Sequence, residues 1–322
     1  MTTPRVSISM ANYNYGRFLK AAIDSVLRQT VSDWELIIVD DGSTDDSREV
    51  IQPYLADPRI SFHPLRHLGQ AKAKNAGIDM GCGEFTAFLD ADDLWAPTKL
   101  EKQLALFNRE PDLGLVYTRR TLIDETGKEL PFRQPKLPRG QVLQDLLSDN
   151  FICFSSVVVR REVLEHVGTF DPGLDLAIDY DLWLRIAKHY AMDYVDESLT
   201  HYRTGHGNLS RRLGERLKTA LWIMRRFQER HGGKYFVEEA ITRRSFAQTC
   251  CSMALALRPY SVRQSAGWFL RALAQQPGHA AAWRGLASLL IPSRLRCWLH
   301  TLSTGFDWEQ AYRAPENDPR NV

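Results

Sequence analysis

The first 120 residues alternate between short apolar runs and segments with helical spacing. Val6 to Met10 is an apolar strand, and Gly16 to Gln29 places Phe18, Leu19, Ala22, Ile23, Val26 and Leu27 on one helical face. Glu35 to Val39 is continuously apolar, as a strand buried on both faces of a parallel sheet would be. Strands are expected again at Arg59 to Pro64, Glu84 to Leu89 and Leu113 to Tyr117. Between them the pattern predicts helices running towards Leu55, over Gly69 to Met80 and over Trp95 to Phe107. Asp45 or Ser43 is placed to cap the helix that runs towards Leu55. This βαβαβα order predicts an α/β sandwich with a mostly parallel central sheet between helices. In open sheets of that kind ligands gather at the carboxyl ends of strands. Asn12 to Asn14, Asp40 to Asp45 and Asp90 to Asp93 all fall there.

Further along, Leu122 to Arg139 is rich in Pro, Gly and charge and reads as an excursion or hairpin. Val142 to Leu147 and Arg161 to Val167 read as helices, with Ser155 to Arg160 as a strand. Leu174 to Ala187 holds a second acidic cluster and then an amphipathic helix, Ala191 to Val195 is a strand, and Thr200 to Ser210 is a polar loop. From about Glu215 the spacing is helical throughout. Leu217, Leu221, Met224 and Phe227 share a face, a long helix covers Glu238 to Leu257, and Arg263 to Leu273 pairs with His279 to Leu290 across Gln276-Pro277-Gly278. That pair is similar to one tetratricopeptide unit, but one copy is no repeat array.

Composition changes the picture only through charge. The 322 residues carry a formal net charge of +2, but residues 1–110 and 111–210 are each at −4 while 211–322 stand at +10, nearly all of it Arg. A basic helical third can face phosphates, an anionic membrane surface or the acidic remainder of the chain. Its Lys and Arg are dispersed with no recognisable binding module, so no nucleic acid is expected. Five cysteines without a CxxC pair favour a reducing compartment and argue against structural zinc. The first ten residues run straight into a strand, and no apolar run approaches the length of a membrane span. The expected location is the cytoplasm, at the inner membrane face if the basic helices reach it.

Asp90 and Asp92, with Asp93 beside them, are the sharpest chemical feature. Crowded carboxylates repel and call for a counter-charge, which Mg²⁺ or Mn²⁺ supplies while keeping positions open for phosphates. The structural alternative is an Asp-rich turn and helix cap. No GxGxxG follows the first strand, no GxxxxGK[ST] is present and no GxSxG occurs, so dinucleotide, P-loop and esterase chemistry lack support.

Four blocks carry a resemblance: Ser7 to Asn14 with Tyr15-Gly16; Leu36 to Asp45 (LIIVDDGSTD); Gly69 to Gly77 with Gly83 to Trp95 (GEFTAFLDADDLW); and Asp179 to Arg185 with Tyr202 to Ser210. Over roughly residues 5–210 the chain resembles a family 2 glycosyltransferase of the GT-A fold. The resemblance implies a GT-A domain over residues 1–212; the helical region over 213–322 lies outside it, and from its charge is expected to contact acceptor or membrane surface, or through its helix pair a second copy in a homodimer. The resemblance also implies inverting, metal-dependent transfer of a sugar from a nucleotide diphosphate donor, a UDP-sugar, to the hydroxyl of a carbohydrate or glycolipid acceptor. Polysaccharide, lipopolysaccharide or other glycoconjugate synthesis would be the setting.

By the same resemblance Tyr13 and Asp41 hold the base, with Asp40, Ala11 and Asn14 beside them. Asp90 and Ala91 face ribose and phosphates, and Lys74 adds positive charge. Arg203 and His206 belong to a loop over the diphosphate. The metal falls to Asp92, with Asp90 and His206 as further ligands, and the ion would be Mn²⁺ or Mg²⁺. Asp179 is the implied general base, with Asp181 as the fallback. Two departures stand out: Ile178 where the family carries Glu, and Ala11 where it commonly carries Pro. His63, Arg66, His67, Arg119 and Arg120 lie near expected strand ends and could reach donor or acceptor. Trp95 and Trp183 could offer sugar-stacking surfaces, though core packing is the commoner role, and Cys250-Cys251 read as buried packing. A nucleotidyltransferase on a similar sheet and a nucleic-acid-binding protein acting through the basic third were the competing classes. The first would want a glycine- and arginine-rich anion loop where Asn12 to Gly16 stand.

Overall fold

A computed structural model describes residues 3–132, 134–205, 213–231, 239–258 and 261–290. The chain divides into two compact units, Met1–Phe246 and Ala247–Val322. The first therefore takes in the helix Leu213–His231.

A nine-stranded sheet organises the first unit. Its strands are β1 (Val6–Asn12), β2 (Trp34–Asp40), β3 (Ile60–Pro64), β4 (Phe85–Phe88), β5 (Leu94–Trp95), β6 (Leu113–Ile123), β7 (Glu129–Leu130), β8 (Val158–Arg160) and β9 (Ala191–Arg203). They lie in the order β3-β2-β1-β4-β8-β6-β9-β5, with β7 paired to β6. The long ladders are parallel: β1 with β2 and β4, β2 with β3, and β6 with β9. The antiparallel joins, β4–β8, β6–β8, β5–β9 and β6–β7, span two or three residue pairs each. The continuously apolar strands behave as expected, since Ile8, Met10, Leu36, Ile38, Val39 and Ala87 are wholly buried.

Helices α1 (Gly16–Leu27), α2 (Ser47–Ile51), α3 (Gln70–Met80) and α4 (Lys99–Arg109) alternate with the early strands. After them come α5 (Leu143–Ser148), α6 (Arg161–Val167), α7 (Ile178–Ala187) and α8 (Leu213–His231). On α1 the predicted face is the buried one, formed by Phe18, Leu19, Ala22, Ile23 and Val26. On α8 the expected face holds too, with Leu221, Met224 and Phe227 buried.

Three expectations need correction. Trp95 opens no helix; it forms β5, a two-residue strand against Thr200, and α4 begins at Lys99. The segment from Thr200 to Arg203 is not loop but the end of β9, because β6 runs on to Ile123 and supplies its parallel partner. Ser155 and Ser156 form a short 3-10 turn ahead of β8 rather than part of the strand. Trp95 and Trp183 are buried core residues, so they offer no sugar-stacking surface.

In the second unit, the helices Val262–Gln275 and Ala280–Leu289 form the expected pair. Ser261 caps the first by accepting from the Gln264 amide, and His279 Nδ1 caps the second by accepting from the Ala282 amide. Gly285 allows their close approach, since a Cβ there would lie 2.2 Å from the Phe269 ring. Cys250 and Cys251 are buried, as expected.

Candidate active site

Two acidic turns flank β1, one at the end of β2 and one just past β4. In the first, the Asp40 carboxylate accepts from Asn12 Nδ2 at 2.7 Å, from Ser43 Oγ at 2.5 Å and from the Ser43 amide at 3.0 Å. Asp41 Oδ1 and Oδ2 accept from the amides of Leu68 and Gly69 at 2.7 and 2.9 Å. Asp45 accepts from the Gly16 amide and from the Ser47 amide and hydroxyl, which ties the start of α1 to the start of α2. Ser43 serves Asp40 instead of a helix. Asn14 holds a left-handed backbone, φ 58°, and its Oδ1 accepts from the Thr44 amide. Asn tolerates that conformation better than most residues.

Above this turn Tyr13 and His67 stack, with ring centroids 4.3 Å apart and an interplanar angle of 26°. Both rings are largely open to solvent, and His67 Nδ1 lies 3.1 Å from Asp41 Oδ2. Tyr13, Asn14, Asp40, Asp41 and His67 therefore come together, while Ala11 sits in the β1 ladder opposite Val39.

The second turn is built differently. Asp90, Asp92 and Asp93 each offer a carboxylate oxygen within 4.8 Å of the others. Lys74, buried on α3, ion-pairs with Asp90 and lies 3.4 Å from the Phe154 ring centroid, so it is no solvated helix face. Asp93 accepts from Ser155 Oγ at 2.5 Å and from the Arg203 amide at 2.8 Å, and Ser155 Oγ also accepts from the Asp90 amide. Burial pushes the Asp90 carboxyl up, and Asp92 and Asp179 add to it while Lys74 opposes. Burial, with Asp92 and Asp90, pushes Asp93 further up. Tyr15 is raised by burial and by the same three carboxylates.

The donors fit a hard divalent cation. The set is all carboxylate oxygen and it is crowded, and burial with mutual repulsion raises Asp90 and Asp93. Asp90 and Asp92 are the residues that would hold the ion, with Asp93 tied back by Ser155 and Arg203. Ala91, between them, is buried in the core.

Asp179 lies within electrostatic reach of this acidic turn. It lies in the first turn of α7, close enough for its charge to raise Asp90. The entry to α7 is clamped: Asn75 exchanges two hydrogen bonds with the Phe170 backbone, and Gln70 Nε2 donates to the Asp175 carbonyl. Ala177 then takes a left-handed conformation, φ 52° and ψ 32°, which a non-glycine residue adopts only at a cost. Asn150 Nδ2 donates to Asp179 Oδ2 at 3.3 Å.

Two residues expected in the chemistry are engaged by protein partners here. Asp181 is no spare base: it pairs with Arg185 at 2.9 Å and Arg226 at 2.5 Å, tying α7 to α8 beside a cavity of about 300 Å³. The Arg203 guanidinium does not reach out to a donor. It donates to the carbonyls of Asp92, Asp124 and Glu125, and so clamps the acidic turn from behind. His206, expected as a metal or donor ligand, lies outside the described residues. Of the residues expected near strand ends, Arg119 is taken up by Asp196 and the Pro135 carbonyl. Sequence reading missed Ser155, Asn150, Tyr15 and Phe154; a Ser and an Asn in an apolar stretch give no periodic signal.

The profile of Glycosyl transferase family 2 matches residues 7–168. The chain belongs to that family. An uncharacterized glycosyltransferase of Nostoc sp. is 36% identical over 216 residues, 63% of this chain and 65% of that protein. The putative teichuronic acid biosynthesis glycosyltransferase TuaG of Bacillus subtilis is 31% identical over 231 residues, covering 71% of this chain and 90% of its own. The chain thus spans just under two thirds of the Nostoc relative and most of the Bacillus one. Two solved structures share the fold: S. aureus TarS 1-349 in complex with UDP-GlcNAc (TM-score 0.57, 14% identity, 88% of this chain and 90% of that one), and the Pyrobaculum calidifontis mannosyltransferase PcManGT in complex with GDP-Man and Mn²⁺ (TM-score 0.62, 18% identity, 97% and 85%). The fold is of GT-A type, and the match is to a glycosyltransferase rather than a nucleotidyltransferase.

Proposed function

We propose that the chain is a metal-dependent, inverting glycosyltransferase that moves a sugar from a nucleotide diphosphate donor, a UDP-sugar, to an acceptor hydroxyl in polysaccharide or glycoconjugate synthesis. One observation carries the reading: three crowded carboxylates past β4 face a fourth, Asp179, on a separately clamped helix. Tyr13 and His67 give the base a stacking surface at the end of β1 and β2. Asp90 and Asp92 would hold the divalent ion, which when bound would offset the charge that develops on the leaving diphosphate. Lys74, seated on Asp90, adds a second positive charge near the phosphates. Asp179 accepts the proton of the acceptor hydroxyl as that oxygen attacks from the face opposite the departing nucleotide. Ile178, in place of the family's Glu, leaves Asp179 as the single carboxylate of its pair.

PcManGT with GDP-Man and TarS with UDP-GlcNAc make the base a matter for experiment. Incubating the chain with UDP- and GDP-sugars and Mn²⁺ should release UDP from one of the UDP-sugars. Release of GDP alone would correct the base, and no release from any donor would sink the reading.

No helix among the described residues is long and apolar enough to cross a membrane. The basic helices beyond residue 210 are proposed to approach an anionic surface at the inner membrane face, where a glycolipid acceptor would be presented. Salt-sensitive co-sedimentation with anionic liposomes is the expected result. Its absence would remove the membrane from the account, and light scattering would test the proposed homodimer.

A further inference from the structure

Arg119 and Arg120 are adjacent on β6, at a place where the register against β9 shifts. As neighbours on a strand they point to opposite faces and meet different surroundings. Arg119 meets its counter-charge in Asp196. Arg120 is half-buried, its Nε is buried without a hydrogen-bond partner, and among the described residues no carboxylate forms an ion pair with it. Its guanidinium lies instead between two rings, 5.3 Å from the Phe132 centroid and 5.9 Å from that of Tyr202. Aromatic faces hold a guanidinium in place but neutralise none of its charge. Asp149 lies within electrostatic reach of Arg120 but forms no ion pair with it, so an incoming anionic group would supply the direct hydrogen-bonded counter-charge that the buried Nε lacks.

The position of Arg120 says which part of a reaction such an anion would belong to. Its charge acts on Asp149 and on Cys153, a thiol that burial pushes up to about 12 and that also senses Asp93 and Asp90. The same segment carries Asn150, hydrogen-bonded to Asp179, and Ser155, hydrogen-bonded to Asp90 and Asp93. Arg120 is thus within electrostatic reach of the 149–155 segment, which also touches the proposed base through Asn150. Tyr13, Asp41 and His67 stand on the β1–β2 side of the sheet, separated from β6 by β4 and β8. A planar guanidinium steadied by two rings suits a two-point hydrogen bond to a carboxylate or a phosphate.

We propose that Arg120 is an acceptor-binding residue that takes an anionic group, carboxylate or phosphate, of the sugar acceptor. This assignment rests on the transferase reading for its role, and it names the acceptor class as acidic.

The test is calorimetric titration of the full chain with glucuronate, glucose 6-phosphate and glucose at matched ionic strength. At least one charged sugar should bind about tenfold or more tighter than glucose, as expected for hydrogen bonds to a charged group. Arg120→Gln should abolish that preference, and Arg120→Lys should keep part of it. Arg119→Gln, whose partner is Asp196, should leave it intact. Preference for glucuronate would identify a carboxylate acceptor, and preference for the phosphate would identify a phosphorylated one. Equal binding of all three sugars to the unmodified chain, or a preference that survives Arg120→Gln, would overturn the proposal. The unmodified-chain comparison holds even if a variant fails to fold. Failure of the transferase reading would show separately, as absence of nucleotide release from any nucleotide sugar.

Discussion

The turn at the end of β2 and the turn past β4 each present three aspartates, yet they treat the charge in opposite ways. Asp40, Asp41 and Asp45 are met by backbone amides, hydroxyls and the Asn12 amide. Burial works to raise Asp45, but hydrogen bonds from Ser47 and Gly16 more than offset it and hold the carboxyl below its usual range. At Asp90 and Asp93 burial and mutual repulsion prevail over Lys74, Ser155 and the Arg203 amide, and both are raised. An acidic motif is thus not a metal site by composition alone. On the proposed function, the turn that satisfies its own carboxylates would be scaffold for a base-binding surface, and the turn that leaves them crowded would be the one that takes a cation.

The comparison breaks most sharply at the proton acceptor. Asp179→Asn should lower sugar transfer by about a hundredfold to ten-thousandfold, the usual range for loss of a general base. Nucleotide-sugar binding, read by thermal shift, should persist. Transfer at the unmodified rate would remove Asp179 from the mechanism.

Next in size is the turn that satisfies its own charge. Asp41→Ala removes the buried carboxylate that accepts from the amides of Leu68 and Gly69, and should cost on the order of 1–3 kcal/mol in denaturant unfolding. Its Mn²⁺ response should stay unchanged; a lost response would mean that the two turns share the ion.

Asp45 supplies the smallest effect, and its sign is fixed. A carboxyl whose folded pKa is depressed contributes stability that is fully present above its unfolded value of about 3.9 and is lost as pH falls through the folded value. Asp45→Asn should therefore narrow the stability difference between neutral pH and pH 3. An unchanged pH profile would count against the hydrogen-bonded turn.

Much of this was readable in the chain because parallel strands buried on both faces leave continuous apolar runs, as Leu36 to Val39 does. The Asp90-Ala91-Asp92-Asp93 cluster was legible for a local reason, since its residues are adjacent. What was hidden depends on partners distant in sequence. Asp179 and Asp181 look alike on one helix turn, and it takes Arg226, 45 residues beyond Asp181, together with the neighbouring Arg185 to engage the second. Arg203 looks like a loop cation until β6 extends far enough to hold it in a strand, where it turns back on Asp92. Ser155 and Asn150 lie in a short, largely irregular segment, and the contacts that matter at the site, to Asp90, Asp93 and Asp179, are tertiary.

The most direct measurement is Mn²⁺-dependent thermal stabilisation by the donor that the chain hydrolyses, compared among the unmodified chain, Asp92→Asn and Asp41→Asn. Ligand at a hundred times its Kd should add about 2.7 kcal/mol of stability by mass action. The account predicts that Asp92→Asn loses the metal-dependent part of that shift, and that Asp41→Asn, though weaker for donor, still responds to Mn²⁺. A full metal-dependent shift in Asp92→Asn would contradict it.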